Sequence, residues 1–157
     1  MKTLVLYYSY GGNTKRIAKL IQNKLNCDIL EIETIVPYTG NYNSIVEQGQ
    51  REVNSGYMPE IKTMDIDINS YDKIILGSPV WWYTFAPAMK TFLYQNDLSS
   101  KNIYPFATNG GWIGHTFSDF EKECKGANVH HGLNVRFEED KLITSEKNIS
   151  DWLNSIK

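Results

Sequence analysis

Apolar positions in this chain form short unbroken runs, separated by segments in which they recur every three to four residues. Lys2 to Tyr8 is nearly all apolar, the pattern of a central strand covered on both faces. Asn13 to Asn26 then sets Ile17, Leu20, Ile21 and Leu25 on one side of a helix. Asp28 to Thr34 predicts a second strand, followed by a turn around Pro37 to Gly40. Asn43 to Ser55 is a polar helix anchored by Ile45, Val46 and Val53 and expected to face solvent. A connector containing Pro59 covers Gly56 to Ser70. Lys73 to Ser78 is the third strand. Helix three should begin at Ala86-Pro87, because proline at the first helical position loses no hydrogen bond there. Ile103 to Thr108, Thr116 to Lys125 and Asn128 to Phe137 read as strand four, helix four and strand five. Ser145 caps a last helix ending at Ile156, with Ile149, Trp152, Leu153 and Ile156 on its apolar stripe.

Strands and helices alternate throughout, and right-handed crossovers then give an α/β fold: a three-layer, doubly wound, five-stranded parallel sheet of order 2-1-3-4-5. Such a sheet binds ligands beyond the carboxyl ends of its strands, where the winding reverses, between strands one and three. The loops after strands one, three and four are therefore the ones to read.

Composition narrows the field. At 157 residues and 41% hydrophobic content the chain supports one well-covered core, read as a single domain over residues 1–157. Sixteen basic residues against eighteen acidic ones leave a net charge of -2, so neither nucleic acid nor an anionic membrane is expected as a partner. The chain opens on a strand pattern without a leader-like segment, and Cys27 and Cys124 lie far apart. A cytoplasmic, reducing location is the expectation, with both thiols packing as small hydrophobes. No apolar run approaches the roughly 20 residues a membrane helix needs.

The first loop is Ser9-Tyr10-Gly11-Gly12-Asn13-Thr14, at the amino end of a helix. Two glycines allow close backbone approach, and free N–H groups with the helix dipole favour an anion. No Gly-Lys-Ser/Thr follows, so this is not a nucleotide-hydrolysing phosphate loop; it suits a monophosphate that is held and not transferred. A tight, capped turn is the plainer reading of the segment taken alone. The second loop runs through Pro79-Val80-Trp81-Trp82-Tyr83, where three consecutive rings expose apolar surface unless something flat covers them. At least one of them is expected to plug the core. The third loop, Thr108-Asn109-Gly110-Gly111-Trp112-Ile113-Gly114, pairs glycines with a further indole.

The first loop resembles the phosphate loop of flavodoxins, which wraps the phosphate of flavin mononucleotide (FMN). Ser9, Gly12 and Thr14 match that pattern, Asn13 suits its Gly-Asn-Thr form, and Gly11 stands where the family usually carries a hydroxyl. Pro-x-Trp-Trp at Pro79 to Trp82, with Pro-Ala-x-Lys from Pro87, is similar to a bacterial flavodoxin-like branch, whose third flavin loop Gly110-Gly111 matches. The same stretch is also similar to one in flavin-dependent quinone reductases.

The resemblance implies FMN as cofactor. It implies contacts from Ser9, Tyr10, Gly11, Gly12, Asn13 and Thr14, from Pro79, Val80, Trp81, Trp82 and Tyr83, and from Thr108, Asn109, Gly110, Gly111, Trp112 and Gly114. It implies an electron-transfer protein, with an NAD(P)H-dependent quinone or flavin reductase as the alternative and a flavin-less scaffold, favoured by Gly11 alone, as the third reading. Partners are then a redox protein, or NAD(P)H and a quinone, for a monomer or weak dimer. Apolar rings and few cations near the flavin would disfavour its anionic reduced form. Typical carriers place a glycine in the second loop, whose flipped carbonyl meets the flavin N5–H; Pro79 to Tyr83 contains none. No metal or catalytic residue is expected: His130 and His131 fall on opposite faces of strand five, His115 reads as a helix-start residue, and Glu138-Glu139-Asp140 as a solvated turn.

Overall fold

Strand β1, Thr3–Tyr8, is an interior strand of the sheet in the computed structural model, which describes residues 2–157. Its alternation sends Leu4 and Leu6 to one face and Val5 and Tyr7 to the other. It pairs in parallel with β2, Asp28–Ile32, and with β3, Lys73–Trp81. Beyond β3 lie β5, Asn102–Asn109, and β7, Leu133–Glu138, again in parallel. Short strands complete the sheet: β4, Thr84–Phe85, and β8, Lys141–Leu142, run antiparallel on β3 and β7, and β6, Asn128–Val129, is parallel on β5.

The sheet therefore has eight strands of mixed direction where the sequence predicts five parallel ones. Two causes are local. Strands three and five of the prediction each double back through a tight turn, adding β4 and β8. The predicted strand Asn128 to Phe137 is also broken at His130-His131-Gly132. There Trp152 Nε1 donates to the His131 carbonyl at 2.9 Å, and Gly132 passes so close to Phe117 that a Cβ would lie 2.6 Å from its ring.

Helices α3, Pro87–Gln95, and α4, Thr116–Glu123, cover the Leu4/Leu6 face through Met89, Phe92 and Phe120. Helices α1, Asn13–Leu25, and α5, Glu146–Ile156, cover the other through Ile17, Ile21, Trp152 and Leu153. Fully burying each such side chain contributes about 1.5–3 kcal/mol. Pro87 at the first helical position and Ser145 capping Asn148 N–H stand where the sequence places them. Helix α2, Tyr42–Ser55, buries only Ile45 and Gly49, as its polar sequence predicts. Among the described residues no helix is long and apolar enough to cross a membrane, no metal-binding cluster is present, and Cys27 and Cys124 are unpaired.

Candidate functional site

All three predicted loops meet at the carboxyl end of the sheet. Thr14 and Thr108 share a hydroxyl–hydroxyl bond of 2.7 Å, joining the first loop to the third. Tyr10 and Trp81 pack edge to face at 6.0 Å, joining first to second. Tyr83 and Trp112 pack at 4.7 Å, and His115 N–H donates to the Tyr83 carbonyl at 2.8 Å, joining second to third.

In the first loop Gly11 and Gly12 have φ of +83° and +97°, and a Cβ on either would meet nothing within 4 Å. This left-handed backbone strains any residue with a side chain. Gly11 thus lacks a hydroxyl because the backbone there favours glycine, and the open space beside it exposes the chain's own N–H groups. No side chain caps α1 at Gly12. The Ser9 hydroxyl accepts from Lys15 N–H at 3.1 Å, while the N–H groups of Gly12, Asn13 and Thr14 find no acceptor among the described residues. These unpaired donors, at the positive end of a 13-residue helix, suit an anion.

Neighbouring cations are committed elsewhere. Lys15 Nζ lies 3.6 Å from Glu31, and Arg16 donates to the Asp140 carbonyl at 3.2 Å with its guanidinium over Phe137. The Asn13 amide donates to the Glu139 carbonyl at 2.8 Å. The Glu138-Glu139-Asp140 turn, expected to be merely solvated, is therefore docked on the start of α1.

The second loop is a hairpin and not a loop. β3 continues through Pro79 and Val80 to Trp81, and Trp81 pairs with Thr84 across the two-residue turn Trp82-Tyr83. Both turn residues have positive φ, +50° and +74°, the mark of a type I′ turn that ordinarily takes Asn-Gly. Ser78, fully buried, ties the base of the hairpin by accepting from Ala86 N–H at 2.9 Å. Trp82 turns its indole toward α2, where Nε1 donates to the Val46 carbonyl at 2.9 Å. The ring of this loop that packs on the core is Trp81, not Trp82.

Trp81 joins an aromatic wall with Tyr8, Tyr10 and Tyr38, its centroid 5.9, 6.0 and 5.0 Å from theirs. Tyr38 donates to Glu52 at 2.6 Å; burial first, and then this carboxylate, push its pKa up. Burial likewise raises Tyr8. Both phenols stay neutral, so the wall carries no charge of its own. A cleft opens between the wall and α2, lined by Tyr10, Val80, Trp81 and Trp82 together with Tyr42, Ile45, Val46 and Gly49. Sequence reasoning missed Tyr38 and the α2 residues. The available signal was Gly49 inside a helix, where a Cβ would press at 3.4 Å on Trp81.

In the third loop Asn109 is turned to structural work: Nδ2 donates to Asn134 at 2.6 Å and Oδ1 accepts from Gly111 N–H at 2.9 Å. Gly110 faces open space, and Gly111 and Gly114 have positive φ. Trp112 is 66% exposed, the most exposed of the four indoles. His115 caps α4 and pairs its Nδ1 with Asp119, which also accepts from Thr84.

The flavodoxin family model matches residues 2–156. A protein from Bacteroides eggerthii DSM 20697, proposed to be a flavoprotein, is 31% identical in its crystal structure, with a TM-score of 0.84 over 99% of this chain and 97% of that one. A flavoprotein from Lactobacillus acidophilus NCFM, crystallised in complex with FMN, is 27% identical with a TM-score of 0.78 over 96% and 97%. Flavodoxin 2 from Bacillus cereus, 22% identical with a TM-score of 0.60 over 99% and 94%, shares the fold. No curated protein matches the sequence. A helix-start anion cradle, an aromatic wall and a glycine-rich third loop are thus joined at one end of a sheet that a family model matches almost from end to end: the chain belongs to the flavodoxin family.

Proposed function

We propose that this protein binds FMN and works as an electron-transfer flavoprotein. The observation that carries the reading is the first loop: open, left-handed glycines and unpaired N–H groups at the start of α1, with Lys15 and Arg16 engaged elsewhere. The residues fit the cofactor. Backbone donors from Gly11 to Thr14 would hold its phosphate, and uncharged aromatic residues of the second and third loops would hold its ring. The bound flavin supplies reversible one- and two-electron chemistry; the chain's part is to fix and shield it.

Trp81, backed by Tyr8 and Tyr38, offers a rigid apolar flank, and the exposed Trp112, packed on Tyr83, an outer one. Exposure of the outer edge at Trp112 would let electrons pass directly to another molecule, the route a carrier uses. The hairpin is pinned at Tyr83 by the His115 N–H, so the backbone beside the ring is held in one orientation.

The test is the visible spectrum of the purified protein after reconstitution with FMN, before and after anaerobic NADPH. A flavin spectrum that persists with NADPH and bleaches with a chemical reductant is the expected result. Rapid bleaching by NADPH would assign the reductase instead, and failure to take up FMN would leave only the fold.

A further inference from the structure

We propose that the β7–β8 turn is a strap that sets the geometry of the phosphate loop, and that Asn13 serves it as a positioning residue and not as a phosphate ligand. The inference rests on the reading of Ser9 to Thr14 as a phosphate site. Phe137 pairs with Leu142 and Glu138 with Lys141, so only Glu139 and Asp140 form the turn. Phe137 is buried and Leu142 packs against the same cluster, which anchors the hairpin beneath α1.

Both turn carbonyls point at the helix start. Glu139 accepts from Asn13 Nδ2 at 2.8 Å, Asp140 accepts from Arg16 at 3.2 Å, and the Arg16 guanidinium lies 5.7 Å from the Phe137 ring centre. Glu139 adopts a φ of +54°, a strained conformation for a residue with a side chain, and in it presents its carbonyl to Asn13. From the first loop itself the Ser9 hydroxyl takes Lys15 N–H. The first turn of α1 is thus gripped from two directions. Its unpaired N–H groups are held in register before any ligand arrives, and such preorganisation raises affinity without adding a ligand contact.

Riboflavin, which lacks the phosphate, separates this role from general structural support. Glu139→Pro forces φ negative and carries the carbonyl away from Asn13 while leaving residues 9 to 14 intact. It also removes a negative charge near an anion site, a change that alone would tighten FMN binding. Glu139→Pro and Asn13→Ala should each weaken FMN binding about fivefold to tenfold and leave riboflavin binding unchanged. Because both act through one contact, the double variant should be no weaker than either single one. Inserting Gly-Gly after Glu139 slackens the same strap and should reproduce the loss if the proline variant is unstable. Parental FMN affinity in both turn variants, or losses that multiply in the double variant, would overturn the strap. A parent protein that fails to prefer FMN to riboflavin would overturn the phosphate reading itself, before any variant is made.

Discussion

The Thr14 and Thr108 hydroxyls lie 2.7 Å apart, both buried, and among the described residues each is the other's only side-chain partner. One belongs to the first turn of α1 and the other to the end of β5, so a single bond fixes the spacing between the first and third loops. Thr14→Val keeps the shape but strands the Thr108 hydroxyl, and should destabilise the protein by about 1–3 kcal/mol in urea unfolding. Thr14→Val with Thr108→Val removes both polar groups and should recover most of that loss. An additive double variant would show that the two hydroxyls do not work as a pair.

Restoring the hydroxyl that the family usually carries at Gly11 should do harm. Gly11→Ser places a side chain at φ +83° and should cost about 1–2 kcal/mol while weakening FMN binding. Tighter FMN binding by this variant in a fluorescence titration would contradict the backbone account of the loop.

Salt should have little effect on the cofactor. Lys15 is paired with Glu31 and Arg16 with the Asp140 carbonyl, so backbone dipoles and not mobile cations meet the phosphate. FMN affinity should change by less than about threefold between roughly 0.05 and 0.5 M salt, whereas a site built on free lysines would weaken steeply. Titration at the two salt concentrations decides between them.

The exposed Trp112 and the half-buried Trp82 should separate binding from folding. Trp112→Ala removes a solvent-facing ring and should leave stability within about 0.5 kcal/mol while lowering FMN affinity. Trp82→Phe deletes the N–H bound to Val46 and should cost about 1 kcal/mol of stability. Thermal melts and flavin titrations of the pair should move in opposite patterns.

Alkali should unfold the protein through its buried acids. Burial raises Cys27 from 9.0 to about 11 and Cys124 from 9.0 to about 12. Burial, with the Glu31 carboxylate, raises Tyr7 from 10.0 to about 12. The unfolded chain therefore loses these protons first. The stability they give is complete below about pH 9 and falls as pH climbs toward 12. Urea midpoints measured across that range should decline, and Cys124→Ala should make the decline shallower.

Much of this was legible from residue patterns because the signals are local. Ser145 announces α5, Pro87 opens α3, and the spacing Ser9, Gly12, Thr14 marks the first loop. What stayed hidden depends on distant partners or on backbone that breaks local preference. Trp82-Tyr83 and Glu139 occupy left-handed positions that their residue types disfavour, so neither hairpin could be anticipated. Asn13 looked like a ligand because its acceptor, the Glu139 carbonyl, lies at the far end of the chain. Tyr38 joins the aromatic wall only because β2 and β3 flank β1, which brings the segment after β2 to the end of β3. The split of the fifth predicted strand needed Trp152 and Phe117 to be in place.

The Trp82-Tyr83 tip carries a practical consequence for anyone improving this protein. Asn-Gly would suit the turn better, so directed selection for heat resistance alone should drift toward it. Such a lineage would grow hardier while shedding aromatic surface from the proposed flavin site. If these rings hold the flavin as proposed, ruggedness and cofactor binding compete at the two positions, and a screen that scores both is the one that would keep them.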